Sequence, residues 1–555
     1  MASFGVDSSK SILAALILLF TFAACGRQPS SGPPTRPDWL SDLDYLEKEM
    51  PRRHKNLFHA LSPKQFKDSV GGLKRRVSTL TDFEIAIEIA KIGSSIRDGH
   101  SGVDSLPAAL KSRLYPFRAY LYSNGLHTQA IAPEHGRLAG ARILAIDDTP
   151  TDEAIHRVRA ITDGTNDMAV KDFLVFRINR AETLHALGIA HSADSATLTL
   201  EQNGERARLV LTPLPKNHPA KSDGIWVWMG ANPDSEWVDS RKGPAPLWLK
   251  EQKVPFVTSY LPENRTLYVR CNVIADTDKP LLLHFQDAIR QAREHPTDRF
   301  VLDLRMNGGG DNTLLLPIIH ELIRAESINQ RGKLFVIIGR RTQSAAQNFI
   351  NLFELHTNAI FVGEPSGESP NMYGDPIPME LPSSRIVINL SSLYWQDVGP
   401  LDHRLWTGPE IAAELSSDDY AASVDPALNA IRTYTLEPGF KSALGSLLME
   451  QKSMERALKY YEDFQKLPTH RFFNPDQSVT KLVDSLIEDK RFADAVDLLR
   501  LHAKYHPRSF KTFERLGTAL EGVGQKSQAA QAYAEAVKLN PNAWSASDRL
   551  RLLTH

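Results

Sequence analysis

Strand-like and helical patterns alternate between residues 254 and 435, and this alternation constrains the fold more than any other feature of the chain. Short apolar runs such as LFVIIG are followed by longer segments such as LLLHFQDAIRQAREH, in which apolar residues recur at helical spacing. This order predicts an α/β core. The continuous apolar strands indicate a sheet that is covered on both faces.

The segments before this core have a different character. Residues 37–105 carry apolar positions at helical spacing and predict an N-terminal helical domain. Residues 106–215 contain short alternating runs, and Asn203-Gly204 stands between two of them as a hairpin signal. Within this β-rich domain the stretch LAGARILAIDDTP (138–150) resembles part of a PDZ-like domain. The α/β domain is then predicted over residues 216–436.

The last part of the chain, residues 437–555, is predicted to be all-helical and repetitive. In three helical segments an alanine stands four residues before an aromatic or aliphatic residue, and successive alanines are 38 and 34 residues apart. These pairs are Ala457 with Tyr461, Ala495 with Leu499, and Ala529 with Tyr533. The last unit, LGTALEGVGQKSQAAQAYAEAVKLNP, closely resembles a tetratricopeptide repeat, and the earlier two are degenerate. The alternative is a generic helical bundle.

Composition excludes several classes of function. The 555 residues include 65 Lys and Arg against 66 Asp and Glu, so there is no basic footprint for nucleic acid. The two cysteines, Cys25 and Cys271, rule out a disulfide framework and a cysteine zinc site. No spacing of His, Cys, Asp and Glu suggests a metal site, and no cofactor is predicted.

The N-terminus predicts export. Lys10 precedes the apolar run ILAALILLFTFAA, which is too short to span a bilayer comfortably and is typical of a secretory signal, residues 1–24. The sequence FAAC resembles a bacterial lipobox, although Phe22 stands where Leu is usual. That resemblance implies lipidation of Cys25, a polar proline-rich tether over residues 25–36, and an anchor in the cell envelope, expected at the outer membrane facing the periplasm. The alternative is an ordinary cleaved signal with an incidental cysteine.

Three successive glycines follow a strand in FVLDLRMNGGGDNT, residues 300–313. Glycines permit a sharp turn with positive φ at little steric cost, which is the purely structural interpretation. The functional interpretation is that bare backbone must approach a reacting atom, with its N–H groups pointing into a site. A phosphate loop is less consistent with the sequence, because no Gly-Lys-Ser/Thr follows.

Ser344 stands where the strand-like run LFVIIG gives way to a helical pattern. A serine in that position can act as a helix N-cap, which is a common role. It can also present its hydroxyl where the helix dipole and free N–H groups favour developing negative charge.

Taken together, these motifs carry a family resemblance. DLR-x-N-G-G-G, then T-x-S-A-A, then VGEPSG resemble the C-terminal processing (tail-specific) serine peptidases and their tricorn-like relatives, over about residues 37–435. The resemblance implies a crotonase-like core and a serine nucleophile, which by its motif is Ser344. It also implies an oxyanion hole from backbone N–H groups, for which Gly309 (or Gly308) and Ala345 are the candidates. Asp303 and Arg305 are then expected to hold the loop at the strand end.

The general base departs from the family pattern. Much of the family uses a lysine where this chain has Ser369, and no lysine is nearby. The candidate base is His100 in RDGHSGV, since the tricorn-like branch recruits an upstream histidine and imidazole has a suitable pKa. The alternative is an ordinary loop histidine. The group that orients the base stays open among Glu368, Ser391 and Asp98.

Two functions follow from these observations. The first is an exported serine peptidase that hydrolyses peptides or protein tails, with the helical repeats free to bind a protein partner. The second is a catalytically inactive binding protein with the same fold, which would hold an apolar or peptide ligand.

Overall fold

The computed structural model describes residues 36–216 and 237–554 as a mixed α/β molecule with a helical C-terminal region. The predicted signal segment, the tether and Cys25 lie outside the described residues, apart from residue 36. Within the described part of the chain, no helix is long and apolar enough to cross a membrane.

The elements are numbered here in chain order. The strands are β1 (Gly102–Ser105), β2 (Phe117–Tyr122), β3 (Gly125–Ile131), β4 (Arg142–Ile146), β5 (Thr149–Pro150), β6 (Ala196–Gln202), β7 (Glu205–Leu211), β8 (Val238–Asp239), β9 (Phe256–Leu261), β10 (Thr266–Cys271), β11 (Arg299–Asp303), β12 (Leu334–Ile338), β13 (Ile360–Gly363), β14 (Asn371–Glu380), β15 (Val387–Gln396) and β16 (Ile411–Ala412). The helices are α1 (Trp39–Arg53), α2 (Pro63–Arg76), α3 (Asp82–Ser94), α4 (Thr151–Arg159), α5 (Asp167–Leu174), α6 (Ala181–Ala186), α7 (Leu281–Glu294), α8 (Leu315–Arg324), α9 (Ala345–His356), α10 (Ser417–Ala421), α11 (Pro426–Thr433), α12 (Phe440–Gly445), α13 (Met454–Lys466), α14 (Asp476–Glu488), α15 (Phe492–Tyr505), α16 (Phe510–Gly522), α17 (Lys526–Leu539) and α18 (Trp544–Thr554).

The N-terminal helices pack against a distant part of the chain. Capping boxes begin two of them, formed by Ser62 with Gln65 at α2 and by Thr81 with Glu84 at α3. Their apolar faces share one core with the β14–β15 hairpin, which belongs to a small antiparallel sheet of order β1-β15-β14. This packing joins the segment that carries residue 100 to the segment that follows residue 370.

Residues 106–215 form an antiparallel sheet with strand order β2-β3-β4-β6-β7. Helices α4, α5 and α6 contribute to its buried core. Asn203 and Gly204 both have positive φ, 53° and 83°, and they connect β6 to β7 as a tight hairpin. This region of the chain is β-rich, as the alternating pattern predicts. Its resemblance to a PDZ domain stays a prediction.

The predicted α/β core is present as a six-stranded sheet with strand order β16-β13-β12-β11-β10-β9. Strands β10 to β13 and β16 run parallel, and β9 pairs antiparallel with β10 at one edge. Helices α7, α8 and α9 pack on one face, and α11 packs on the other. The apolar strand β12 is buried along its full length, because both faces of the sheet are covered.

A buried charge network ties the end of β11 to α11. Arg305 donates two hydrogen bonds to Asp425, at 3.0 and 2.9 Å, and its Nε donates to Asp303 at 3.1 Å. Asp425 also accepts from the first backbone N–H groups of α11. Burial lowers the pKa of Arg305, but the two carboxylates outweigh this effect and raise it. The pairing gives Asp303 and Arg305 the structural role expected from the sequence.

The C-terminal helices share one apolar core, and neighbours along the chain pack on each other from α14 to α18. All six residues of the predicted alanine pairs are buried in this core. The helical region meets the α/β core where Phe510 approaches the ring of His403 and where Arg471 pairs with Glu414. A tetratricopeptide arrangement stays a prediction, whereas the helical character of the region is confirmed.

The charge network allows a test of what fixes the strand end. In Asp425→Ala, Arg305 keeps a single carboxylate partner in a buried site and α11 loses its N-cap. We expect a loss of about 3 kcal/mol in the free energy of unfolding. Urea unfolding measures this loss, and the exposed Asp497→Ala is the matched control, expected within about 0.5 kcal/mol of the wild type. A loss below about 1 kcal/mol in Asp425→Ala would show that the network is dispensable.

Candidate active site

Ser344 occupies a strained turn between β12 and α9. Its backbone has φ 53° and ψ −129°, a conformation that residues with a Cβ rarely adopt and that costs about 1–3 kcal/mol. It stands at the N-cap position of α9, yet its side chain makes no capping hydrogen bond. The structure therefore contradicts the N-cap interpretation, and the hydroxyl is left available at the beginning of a helix.

Gly309 lies directly against Ser344. A Cβ added to Gly309 would lie 2.6 Å from Ser344 Cβ, 3.0 Å from Ser344 Oγ and 3.1 Å from the Ala345 nitrogen. Gly309 also has φ 112°, which disfavours residues with side chains. Both the positive φ and the close approach of Gly309 to Ser344 therefore require glycine at this position.

Asn307 fixes the conformation of the glycine loop. Its Nδ2 donates to the Cys271 carbonyl at 3.0 Å, and its Oδ1 accepts from the Gly309 N–H at 2.9 Å. Because the Gly309 N–H is already bonded, the expectation that Gly309 is a free oxyanion donor is not met. Gly308 lies beside the guanidinium of Arg341 and is not among the residues that line the cleft at Ser344.

Two backbone donors remain at this position. Gly310 and Ala345 both line the cleft that contains Ser344. Among the residues that the structure describes, neither N–H group donates a hydrogen bond. The role of Ala345 as an oxyanion donor stays a prediction, and Gly310 takes the place of Gly309 as the glycine whose N–H group has no acceptor in the described chain.

His100 lines the same cleft, and its ring lies next to Glu368. His100 Nδ1 lies 3.7 Å from Glu368 Oε2, which is longer than a hydrogen bond, and it is buried without another partner in the described chain. The Glu368 side chain is only 2% exposed. Burial raises the pKa of Glu368 from its ordinary 4.5 to about 7, against the opposing effects of His100 and of the Ser344 backbone. Glu368 is therefore a buried carboxyl with a raised pKa beside the imidazole ring, which is typical of functional sites.

Asp98 supports the histidine loop from the backbone side. Its carboxylate accepts from the His100 backbone N–H at 3.0 Å and from the Ser101 hydroxyl at 2.6 Å. It also contacts His54 Nε2 at 3.0 Å. Burial raises the pKa of Asp98, but the hydrogen bonds, first those from His54 and Ser101, outweigh it and lower this pKa to about 2.

Of the three candidates for orienting the base, Glu368 is the one that faces the His100 ring. Asp98 contacts the backbone of His100, and its side-chain partners are His54 and Ser101. Ser391 donates its backbone N–H to the Ser101 hydroxyl, one step further from the cleft. Ser369, at the position of the family lysine, donates to the Leu405 carbonyl instead.

The loop before Ser344 is held by the β-rich region. Gln343 Nε2 donates to Asp172 Oδ2 at 3.1 Å, and Asp172 belongs to α5. Asp172 Oδ1 is buried without a partner in the described chain, and burial raises the pKa of Asp172 to about 7. Arg340, on the same loop, makes a buried bidentate pair with Glu364 and donates to the Leu121 carbonyl. Residues of the β-rich region thus contact the loop that carries the serine.

The cleft at Ser344 has a volume of about 140 Å³. Its lining combines the candidate residues of three chain segments with residues of the β14–β15 hairpin. The lining residues are His100, Gly310, Asn312, Ser344, Ala345, Asn348, Met372, Gly374, Asp375, Pro376 and Trp395. No lysine is among them, and no cluster of His, Cys, Asp and Glu in the described residues could hold a metal ion.

Several of these residues were not identified from the sequence. Gly310 was part of the glycine triplet, and only the hydrogen bond from Asn307 distinguishes it from Gly309. Asp375 ends the stretch PNMYGD, residues 370–375, in which no residue was assigned a role from the sequence. Asn348 and Trp395 stand in ordinary helical and strand patterns, so no sequence signal separated them from structural residues.

Comparison with known proteins gives similarity to solved structures only. No protein-family model and no curated protein matches the chain. A structure of mature CPAF complexed with lactacystin is 12% identical, with a TM-score of 0.45, over 71% of this chain and 96% of that chain. The photosystem II D1 C-terminal processing protease is 12% identical, with a TM-score of 0.33, over 70% of this chain and 95% of that one.

The helical region has its own matches. The first TPR of Spaghetti (RPAP3), bound to the HSP90 peptide SRMEEVD, is 20% identical with a TM-score of 0.16, over 21% of this chain and 94% of that chain. All three TM-scores lie below 0.5. These similarities therefore decide neither the fold nor the function of this chain, which have to be argued from its own geometry.

The buried carboxyl of Glu368 generates a prediction about stability and pH. Between about pH 4.5 and 7 the folded state keeps a proton on Glu368 that the unfolded state has released. The free energy of unfolding therefore falls as pH rises through this range. Glu368→Gln removes this contribution, so its stability relative to the wild type should increase from pH 4.5 to pH 8, as measured by urea midpoints.

The exposed Glu205→Gln is the charge-matched control for this experiment. Parallel pH profiles for Glu368→Gln and the wild type would contradict a buried carboxyl with a raised pKa.

Proposed function

We propose that the chain is a serine-type peptidase that hydrolyses peptide bonds in peptides or protein tails through an acyl-enzyme. The observation that carries the proposal is the uncapped hydroxyl of Ser344 on a strained turn, in one cleft with His100, whose ring lies next to the buried Glu368. Strained strand-to-helix turns present the nucleophile in other serine hydrolases. A serine whose only role was to cap the beginning of a helix would need no positive φ, and its hydroxyl would accept a hydrogen bond from the helix.

The proton route follows from the two ring nitrogens of His100. Nδ1 faces Glu368, which leaves Nε2 to take the proton from Ser344 Oγ as this oxygen attacks the carbonyl carbon. The imidazolium then returns the proton to the leaving amine, and an acyl ester remains on Ser344. Water, deprotonated by His100, hydrolyses the ester and releases the carboxylic acid product. Glu368, once ionised, stabilises the imidazolium and orients the ring.

The distance between His100 Nδ1 and Glu368 Oε2 bears on this role. At 3.7 Å the two groups are close enough to attract but are not hydrogen-bonded. Catalytic hydrogen bonds without substrate are often long and tighten when the substrate binds. Closure of this gap is the conformational step that the proposal requires.

The oxyanion of the tetrahedral intermediate would be held by backbone donors. Ala345 and Gly310 line the cleft, and their N–H groups have no acceptor among the described residues. Ala345 is also the first residue of α9. The helix dipole adds to the stabilisation of negative charge at that position. Each such donor contributes about 3 kcal/mol to transition-state stabilisation in related sites.

The proposal also covers where the chain is located and what it binds. Export, lipidation at Cys25 and a position in the cell envelope rest on the sequence of the first 36 residues alone. A protein partner at the helical repeats is supported by the stacked helices α14 to α18, an arrangement suited to peptide or protein binding. A partner bound there would lie beside the α/β domain, since Phe510 contacts His403 and Arg471 pairs with Glu414.

The proposal predicts that Ser344 and His100 act as one unit. Ser344→Ala, His100→Ala and the double variant should lose hydrolysis of a fluorogenic peptide to a similar floor, at least about 10³-fold below the wild type, because members of such a unit are not additive. A fluorophosphonate probe should label the wild type and fail to label Ser344→Ala.

The matched controls are Ser369→Ala and His403→Ala, a serine and a histidine that lie outside the cleft lining. Near-normal turnover in His100→Ala, with Ser344→Ala inactive, would place the base elsewhere. Full activity in both variants, or no labelling of the wild type, would support the alternative of a binding protein with a peptidase-like fold.

A further inference from the structure

One wall of the cleft is formed by the β14–β15 hairpin and carries an acid beside an indole ring. Asp375 is exposed on β14, at a position that has no register partner on β15 in the described hairpin, and its φ is 53°. Its Oδ2 accepts a hydrogen bond from Trp395 Nε1 at 2.6 Å. Gly374 allows the ring to lie close to the strand, because a Cβ there would be 3.1 Å from Trp395 Cδ1. The contact fixes the acid and the ring relative to each other.

The negative charge of Asp375 distinguishes this wall from the rest of the described cleft lining. Asp375 is the one carboxylate among the lining residues, and the described lining contains no lysine or arginine that would neutralise it. The other side chains are a histidine, a serine, two amides and small or apolar groups. Oδ1 of Asp375 accepts no hydrogen bond from the described residues. An unneutralised carboxylate therefore faces the space beside the nucleophile.

A carboxylate next to an indole ring matches the chemistry of a cationic side chain. A lysine or arginine head group forms a charge-assisted hydrogen bond with a carboxylate and a cation–π contact with tryptophan. An acidic side chain in the same position would be repelled, and an aliphatic one would leave Asp375 with water as its partner. The arrangement therefore discriminates among peptides by charge.

We propose that Asp375 and Trp395 form a specificity site that selects peptides with a lysine or arginine close to the scissile bond. This inference rests on the proposed peptidase function and adds its substrate class. Ser344 and His100 perform the reaction, whereas Asp375 determines which peptides are held in register with them.

The test compares internally quenched peptides that differ at one residue. A single lysine is placed in turn at each of the three positions on either side of one cleavable bond, and norleucine replaces it as an aliphatic side chain of similar length without charge. At one position, kcat/KM for the lysine peptide should exceed that for the norleucine peptide by roughly tenfold or more. Raising the salt concentration should reduce this ratio.

Variants assign the preference to the acid. Asp375→Asn keeps the shape and an acceptor for Trp395, and it should reduce the lysine-to-norleucine ratio to about one. Asp375→Lys should invert the preference toward a glutamate peptide. Glu380→Gln is the matched control, since Glu380 is an exposed acid on the same strand outside the cleft lining, and it should leave the ratio unchanged.

The outcomes separate this inference from the proposed function. Fluorophosphonate labelling of Ser344 and cleavage of the peptides, without a lysine preference at any position, would overturn the specificity site and leave the peptidase proposal intact. A lysine preference that survives in Asp375→Asn would also overturn it. No labelling and no cleavage of any peptide would overturn both.

Discussion

The left-handed turn at Ser344 and the bare backbone of Gly309 beneath it form the contact on which the rest of the site depends. A serine with positive φ is strained, so the surrounding structure has to hold it in place. Gly309 approaches to a distance that excludes any side chain, and Asn307 locks the glycine loop by bonding the Gly309 N–H. In the part of the chain that the structure describes, the N–H groups of Gly310 and Ala345 donate to no other group and lie at the cleft.

Three distant segments meet around this contact, and each is held by buried polar groups. Asp98 fixes the His100 loop through the backbone, Asp172 contacts the residue before Ser344, and Glu368 approaches the His100 ring. Two of these acids, Asp172 and Glu368, have pKa values raised to about 7 by burial. Ionisation of these two buried acids lowers the stability of the folded state. A site that contains them is therefore preorganised at the expense of stability.

The sequence was sufficient for the α/β class, the helical C-terminal region and the order of the core elements, because apolar periodicity reports burial directly. It also identified Ser344, His100 and Ala345 as candidates, which the structure brings into one cleft. It could not determine which of Glu368, Ser391 and Asp98 faces the imidazole, since that depends on side-chain directions in three separate loops. It gave Gly309 as a donor because nothing in a run of three glycines shows which N–H group is taken by Asn307. The pair Asp375 and Trp395 was not identified from the sequence, because the two residues are 20 positions apart and become neighbours only when β14 and β15 pair as a hairpin.

The pairing of Arg305 with Asp425 has a consequence for the order in which the molecule is made. During synthesis the strand end that carries Arg305 leaves the ribosome 120 residues before Asp425 does, and β16 at the sheet edge also emerges late. Until then the guanidinium has only Asp303 as a carboxylate partner. A nascent chain is therefore expected to complete the end of β11 only after residue 425 has appeared, so this part of the sheet forms late in synthesis.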